Sequence, residues 1–152
     1  MDLELRELYQ QVILDHNKSP RNYHVMENRT QEAEGYNPLC GDILHVYLKV
    51  EDNIVKDVSF QGSGCAISKA SASLMTSIIK GKTKDEAEII FKDFHDLITG
   101  KFGENSDKNN LGKLNVFAGV KEFPVRVKCA SLAWHTMKSA LNKEEDQKVT
   151  TE

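Results

Sequence analysis

The clearest strand pattern in the chain is Ile43-Leu44-His45-Val46-Tyr47-Leu48-Lys49-Val50, in which every second residue is a large aliphatic one. Such alternation is typical of a β-strand with one buried face. Glu51-Asp52-Asn53 predicts a hairpin turn after it, and Ile54 to Gln61 predicts the return strand. Two strands alone are only marginally stable, so a third is needed, and we expect it within Tyr23–Glu34.

Helices are predicted on both sides of this hairpin. Apolar spacing over residues 5–13 predicts a first helix that ends near His16-Asn17. After the hairpin, Gly62-Ser63-Gly64 interrupts the strand pattern, and a second helix begins around Cys65 or Ala66. Further helices are predicted by the capping-box spacing of Thr83-Lys84-Asp85-Glu86, by Leu111–Val120, and by Pro124 at the start of the last helix. The fold class is therefore α+β, a small antiparallel sheet of about three strands packed against helices.

The length of the chain, 152 residues, fits one domain with its own core. We predict a single domain over residues 1–141. Residues 142–152 contain one apolar residue, Val149, so we expect a polar C-terminal tail that frays. The stretch Lys101–Asn110 is also polar, and we expect it to be mobile.

Charge and hydropathy exclude several classes of function. Lys and Arg number 20 and Asp and Glu 23, so the net charge is −3, which argues against a general nucleic-acid-binding protein. No stretch approaches the ~18 apolar residues of a membrane span. The acidic start Met1-Asp2-Leu3-Glu4 lacks the basic and apolar parts of a secretory signal. We therefore expect a cytoplasmic protein whose three cysteines are thiols.

Three cysteines and one aspartate are candidate metal ligands. Cys40 and Asp42 lie two residues apart where a strand begins, and side chains at that spacing in an extended chain point the same way. Cys65 opens a helix, and Cys129 lies at the start of the last helix beside Arg126, so N–H groups or cations favour each thiolate. Three thiolates and a carboxylate suit tetrahedral Zn²⁺. From spacing alone an alternative stays open, that the cysteines are small buried residues of the core.

Several longer motifs resemble one known superfamily, and they extend from about Leu8 to Leu141. Two blocks are long and specific, Asn37-Pro38-Leu39-Cys40-Gly41-Asp42 and Gly62-Ser63-Gly64-Cys65-Ala66-Ile67-Ser68. Shorter matches are Ile13-Leu14-Asp15-His16, Pro20-Arg21-Asn22 and Val127-Lys128-Cys129-Ala130. In these motifs the sequence resembles the iron–sulfur cluster assembly proteins of the IscU/NifU superfamily, which implies a SufE/NifU-like fold.

Three departures from the IscU pattern resemble the SufU branch. Lys128 stands where IscU-type scaffolds have a histidine, and an extra stretch, roughly Lys101–Lys121, precedes the third cysteine. Glu122-Phe123-Pro124-Val125-Arg126 stands where those scaffolds carry a chaperone-binding motif. The resemblance to SufU implies a zinc-dependent sulfurtransferase. Such a protein takes sulfur from a SufS-type cysteine desulfurase and passes it to SufBCD-type assembly machinery.

The same resemblance implies the site residues. The implied zinc ligands are three thiols and one carboxylate, namely Cys40, Asp42, Cys65 and Cys129. Cys40 also matches the sulfur acceptor, and Arg126 matches a basic residue beside the site. A zinc-bound thiolate is a poor nucleophile, so one ligand must leave the metal before it accepts sulfur. We expect Cys40 to leave when a side chain of the docked desulfurase replaces it, because Gly35, Pro38 and Gly41 predict a loop around it.

Two other functions remain open. Thiolate ligands also suit an iron–sulfur cluster, so an IscU-type scaffold that assembles a [2Fe–2S] cluster on the same residues is the alternative. Such a protein is brown, whereas a zinc protein is colourless. A structural zinc module that docks onto a partner is the third possibility, and it predicts that loss of Cys40 unfolds the protein.

Overall fold

The computed structural model describes residues 3–101, 111–142 and 149–150 of the chain. In chain order the elements are helix α1 (Leu3–Lys18), strands β1 (Gln31–Asn37), β2 (Asp42–Glu51) and β3 (Ile54–Ser63), helices α2 (Ala66–Ile79) and α3 (Lys84–Thr99), a 3-10 helix (Gly112–Glu122), helix α4 (Pro124–Leu141) and strand β4 (Val149–Thr150). A sheet from the first half of the chain followed by helices confirms the α+β class.

Strand β2 lies in the middle of the antiparallel part of the sheet. The strand order is β3-β2-β1-β4, with β1 and β3 both antiparallel to β2. Asn37 pairs with Asp42 at one end of the β1–β2 ladder, and Ile43 pairs with Ser63 on the other side of β2. The end of β1, the beginning of β2 and the end of β3 therefore meet at one end of the sheet. The two cysteine-bearing segments start from that end.

Strand β2 packs against the core through every second side chain. Leu44, Val46 and Leu48 are fully buried, which confirms the predicted alternation. Helix α4 packs on β1 and β2, and α2 packs between β3 and α4. Trp134 of α4 and Phe94 of α3 extend the core on the helical side, with ring centroids 4.7 Å apart. None of the helices within the described ranges is long and apolar enough to cross a bilayer.

The third strand of the sheet extends beyond the segment in which the sequence predicted it. β1 covers Gln31–Asn37, so it begins inside Tyr23–Glu34 but continues for three more residues, and Gly35, predicted in a loop, lies inside it. A Cβ on Gly35 would lie 2.0 Å from the hydroxyl oxygen of Thr136 on α4. The glycine is therefore needed because the helix packs closely on the strand, and composition alone does not reveal that contact.

The starts of the helices follow the predicted caps, with one correction. Cys65 is the N-cap of α2, and Thr83 and Glu86 form both bonds of the capping box of α3. Pro124 begins α4, as predicted. The prediction that Cys129 lies at the start of this helix is wrong, because the helix begins five residues before it. Cys129 is buried in the second turn, where the free N–H groups of the helix start no longer reach its thiol.

The extra stretch before the third cysteine contains the 3-10 helix, where the sequence predicted a short helix over Leu111–Val120. Its Phe117 is fully buried and meets Phe94 of α3 edge-on, with ring centroids 5.8 Å apart. This part of the stretch therefore belongs to the core. Residues 102–110, most of the segment predicted to be mobile, lie outside the described residues.

At the C-terminal end, Val149 and Thr150 form a short strand where the sequence predicted a frayed tail. They pair in parallel with Gly35 and Tyr36 of β1. The physical reason is that β1 is otherwise an edge strand, and its free backbone groups can pair with a neighbouring segment of almost any sequence. Residues 143–148 and 151–152 of the predicted tail lie outside the described residues.

Candidate metal centre

Three of the four predicted ligands lie together at the end of the sheet described above. The Sγ atoms of Cys40 and Cys129 and a carboxylate oxygen of Asp42 are all within 4.8 Å of one another. The two sulfur atoms are 3.1 Å apart, and both cysteines are free thiols. Asp42 and Cys129 are fully buried, whereas Cys40 is half-buried. Cys40 is therefore the member of the trio that a partner molecule can reach.

A tight turn brings Cys40 to Asp42. Residues 38–41 connect β1 to β2, and Gly41 has a φ of +70°, a conformation that favours glycine. The sequence predicted that these two side chains face the same way because they are two residues apart in an extended chain. They do converge, but through the turn, because β2 begins only at Asp42.

Cys65 lies beside this trio without being part of it. Its backbone N–H donates to Oδ1 of Asp42 at 2.9 Å. Its Sγ accepts the N–H of Ser68 at 3.4 Å and so caps helix α2. The neighbouring Gly64 leaves room for the carboxylate, since a Cβ there would lie 2.6 Å from Oδ1 of Asp42. The role of Cys65 as a metal ligand stays a prediction.

Contacts between α2 and α4 fix the position of Cys129 relative to Cys65. The hydroxyl of Ser71 on α2 donates to the carbonyl oxygen of Ala130 at 2.6 Å. The indole N–H of Trp134 donates to the same Ser71 oxygen at 3.1 Å. Both bonds are buried, so they hold the two helices in one register and keep the two cysteines close.

The sequence predicted no role for Asn37, yet its side chain is the centre of the polar contacts here. Asn37 is the last residue of β1 and is fully buried. Its Nδ2 donates to Oδ2 of Asp42 at 3.1 Å and to Sγ of Cys129 at 3.5 Å, while its Oδ1 accepts the N–H of Leu39 at 3.3 Å. The only signal in the sequence is a polar residue at the first position of the Asn37–Asp42 motif, which does not by itself indicate these contacts.

The pocket concentrates negative charge, and Arg126 faces it. Burial raises the pKa of the Cys129 thiol, and the thiol of Cys40 and the charge of Cys65 raise that pKa further. A hydrogen bond to Cys129 raises the pKa of the Arg126 guanidinium, and the charge of Cys65 raises it further. Arg126 is exposed and stays charged, so it offsets part of the negative charge at the mouth of the pocket.

The donor atoms fit a single zinc ion. Thiolates about 2.3 Å from a tetrahedral zinc are roughly 3.8 Å apart, and the three clustered donor atoms lie within 4.8 Å of one another. Anions in a buried pocket are unfavourable without a cation, and the raised pKa of Cys129 reports that cost. The clustered thiols of Cys40 and Cys129 and the carboxylate of Asp42 therefore suit Zn²⁺, and thiolates also suit an iron–sulfur cluster.

Comparisons with known proteins agree on one family. A family model described as the NifU-like N-terminal domain matches residues 8–130. The chain is 44% identical over 138 residues to the zinc-dependent sulfurtransferase SufU of Bacillus subtilis (strain 168), which covers 91% of this chain and 92% of that protein. It is also 42% identical over 136 residues to the iron–sulfur cluster assembly scaffold protein IscU of Thermotoga maritima, which covers 90% of this chain and 94% of that one.

A solved structure shows the same fold. It is described as a putative iron–sulfur cluster assembly scaffold protein for the SUF system from Fervidobacterium islandicum AW-1. The TM-score is 0.82 at 38% sequence identity, and the match covers 90% of this chain and 98% of the other. The likeness therefore includes both the sheet and the helices that surround the cysteines.

Proposed function

This chain belongs to the family of the NifU-like N-terminal domain, and on that basis we propose that it is a zinc-dependent sulfurtransferase of iron–sulfur cluster assembly. In this role it takes sulfur from a SufS-type cysteine desulfurase on Cys40 and passes it to a SufBCD-type assembly complex. Its partners are then proteins, with no role for nucleic acid or a membrane, and it works in the cytoplasm. The name of the Bacillus subtilis relative supports the activity.

The position of Cys40 is the observation that carries this proposal. Cys40 lies on a turn between two exposed residues, Leu39 and Gly41, while its thiol touches that of the buried Cys129. A sulfur acceptor needs access to a partner protein and also surroundings that favour the thiolate. Cys129 lacks the access, and the thiol of Cys65 is engaged in capping α2.

We assign the metal to the three thiols and the carboxylate, Cys40, Asp42, Cys65 and Cys129. When bound, Zn²⁺ keeps these thiols deprotonated and offsets the negative charge of the pocket. The carboxylate of Asp42 is oriented as a metal ligand, because the N–H of Cys65 binds one of its oxygens and the side-chain amide of Asn37 binds the other. Arg126 lies at the rim and offsets charge that remains.

Sulfur transfer on this chain is the attack of the Cys40 thiolate on the outer sulfur of the desulfurase persulfide. An S–S bond forms at Cys40, and the S–S bond of the desulfurase persulfide breaks. The desulfurase cysteine leaves as a thiolate, and the proton of the persulfide stays on the transferred sulfur. One S–S bond replaces another, so no oxidant or reductant is needed. Cys40 must be free of the metal for this attack, and Gly41 gives its turn backbone freedom.

A desulfurase turnover assay, run with and without this protein and paired with zinc quantification, tests the proposal. We expect a colourless protein with stoichiometric zinc that raises the turnover of a SufS-type desulfurase. A zinc-loaded protein that leaves the turnover unchanged contradicts the proposed sulfur transfer.

A second candidate function is supported by the relatives named IscU, one of which is 42% identical to this chain. In this alternative the chain is a scaffold that assembles a [2Fe–2S] cluster on the same four ligands. Visible absorption after anaerobic purification separates the two functions. A brown protein that transfers its cluster intact supports the scaffold, and a colourless zinc protein supports the sulfurtransferase.

A further inference from the structure

We propose that Asn37 is the positioning residue of the metal centre, and that it couples the turn carrying Cys40 to the buried ligands Asp42 and Cys129. This inference rests on the proposed function, because it assumes that these side chains bind zinc. The Asn37 side chain touches neither a substrate nor the sulfur that is transferred. Its effect passes through the ligands and the turn that it holds.

The geometry around Asn37 connects three separate parts of the chain. Its Nδ2 donates to Asp42 at the start of β2 at 3.1 Å and to Cys129 inside α4 at 3.5 Å. Its Oδ1 accepts the backbone N–H of Leu39, the residue directly before Cys40, at 3.3 Å. One side chain therefore binds a carboxylate ligand, a thiol ligand and the backbone of the turn.

An amide is the side chain that suits all three contacts. It offers N–H donors to the two anionic ligands and a carbonyl acceptor to the N–H of Leu39 at the same time. An aspartate at position 37 would keep the acceptor but place a third negative charge beside Asp42 and Cys129. An alanine would leave the N–H of Leu39 and one oxygen of Asp42 without these partners, in a place where Asn37 is fully buried.

The carboxylate of Asp42 is held on both sides through this arrangement. The N–H of Cys65 binds Oδ1 at 2.9 Å, and the amide of Asn37 binds Oδ2 at 3.1 Å. Hydrogen bonds of this kind orient metal ligands, and their loss typically costs about 10- to 100-fold in metal affinity. Without Asn37, the carboxylate is restrained from the Cys65 side alone within the described contacts, and the turn loses the bond next to Cys40.

Zinc affinity, measured by competition with a chromophoric chelator, tests the inference, with Asn37→Ala as the main variant. Gln31→Ala is the matched control, because Gln31 is a buried amide of the same strand whose Nε2 donates to the carbonyl oxygens of Ala140 and Leu141 at 2.7 and 3.0 Å. We expect about 10- to 100-fold weaker zinc binding for Asn37→Ala. We expect affinity within about twofold of the wild type for Gln31→Ala. If Asn37→Ala does not fold, Asn37→Leu replaces it, because leucine keeps the side-chain volume.

Two further measurements separate positioning from a general loss of stability. In a double-mutant cycle for zinc affinity, Asn37→Ala is expected to cost less in an Asp42→Ala background than in the wild type. In the zinc-free chain, Cys40 is expected to react faster with iodoacetamide in Asn37→Ala than in the wild type or Gln31→Ala. Both experiments omit the desulfurase, so they stand apart from the turnover assay.

The outcomes are distinct. Wild-type zinc affinity in Asn37→Ala, or equal losses in Asn37→Ala and Gln31→Ala, overturns the positioning role and leaves the proposed function standing. An unchanged alkylation rate of Cys40 in Asn37→Ala overturns the coupling to the turn. A wild-type chain that binds no zinc overturns both this inference and the zinc dependence of the proposed function.

Discussion

Strand β2 has a turn at each end, and the two turns are built in different ways. At the far end from the cysteines, Asp52 and Asn53 form a two-residue turn between β2 and β3, with φ values of +52° and +64°. Both values match a type I′ hairpin turn. At the other end, residues 38–41 join β1 to β2 and carry Cys40, and this turn is held by the side chain of Asn37.

The turn between β2 and β3 is favoured by its own residues, whereas the turn of Cys40 depends on contacts from other parts of the fold. Asp52 and Asn53 are both exposed, and their residue types tolerate the left-handed backbone that the turn requires. The carbonyl oxygen of Asn53 also accepts the N–H of Lys84, at the start of α3, at 3.0 Å. The turn of Cys40 is held by Asn37 at the end of β1 and by Cys129 inside α4, and the adjacent Asp42 is held by the N–H of Cys65 before α2. Changes near Cys40 should therefore alter chemistry, while changes at Asp52 and Asn53 should alter only stability.

The largest expected effect is that of Cys40→Ala. We expect desulfurase stimulation to fall to the level of the desulfurase alone, because the acceptor sulfur is gone. The fold should survive, since Cys40 is half-buried on a turn. Asp52→Ala, in the other turn, is the control and should stimulate like the wild type. Turnover assays and circular dichroism check both variants, and unfolding of Cys40→Ala would favour a structural zinc module instead.

The second largest expected effect is that of Gly64→Ala, which should weaken zinc binding. The added Cβ would lie 2.6 Å from Oδ1 of Asp42, so the carboxylate must move away from its place. A displaced ligand should lower zinc affinity by about 10- to 100-fold. Gly119→Ala serves as the matched glycine variant, because a Cβ there meets no atom within 4 Å. Chelator competition measures both, and equal affinities would show that Asp42 does not need this position.

Removal of zinc should make the turn of Cys40 more mobile and leave the turn of Asp52 and Asn53 unchanged. Without the cation, the turn that carries Cys40 loses its metal link to the buried Asp42 and Cys129, so we expect faster amide hydrogen exchange at Leu39 and the residues that follow it. Exchange at Asp52 and Asn53 should not change on chelation. Hydrogen exchange followed by mass spectrometry, before and after chelation, measures both turns in one sample. Equal acceleration at both ends of β2 would mean that zinc stabilises the whole sheet.

The smallest expected effect is that of Asn53→Ala. Alanine is unfavourable at a φ of +64°, so the free energy of unfolding should fall by about 1 kcal/mol. Asn53→Gly should not show this loss, because glycine accepts the left-handed backbone. Neither variant should alter zinc affinity or desulfurase stimulation. Denaturant unfolding and chelator competition measure both variants. A changed zinc affinity in either variant would mean that the turn of Asp52 and Asn53 is not independent of the metal centre.

The elements that the sequence predicted well are determined by residues that lie close together in the sequence. The alternation of Leu44, Val46 and Leu48 and the capping box at Thr83 are of this kind, and both are confirmed. The end of β1 was predicted wrongly, because its Gly35 is required by a helix a hundred residues later in the chain. A contact of that range leaves no local pattern, so composition alone suggested a loop.

The metal centre could also be predicted only in part, because its contacts join residues that are far apart in the sequence. The cysteines are far apart in sequence, so their common role came from the resemblance to a family, while spacing alone left buried core residues as an alternative. The structure brings Cys40, Asp42 and Cys129 together, and it corrects the place of Cys129, which is inside a helix and buried. Asn37 had no predicted role, because its importance depends on side-chain hydrogen bonds that join the nearby Leu39 and Asp42 to Cys129, a residue 92 positions later in the chain.

Peptide mapping by mass spectrometry tests the claim that Cys40 accepts the sulfur. The zinc-loaded chain is incubated with a SufS-type desulfurase and free cysteine, alkylated, and digested. We predict the mass of one additional sulfur atom on the peptide that contains Cys40, and none on the peptides of Cys65 and Cys129. Additional sulfur on either of those two peptides, or on none of the three, would contradict the claim.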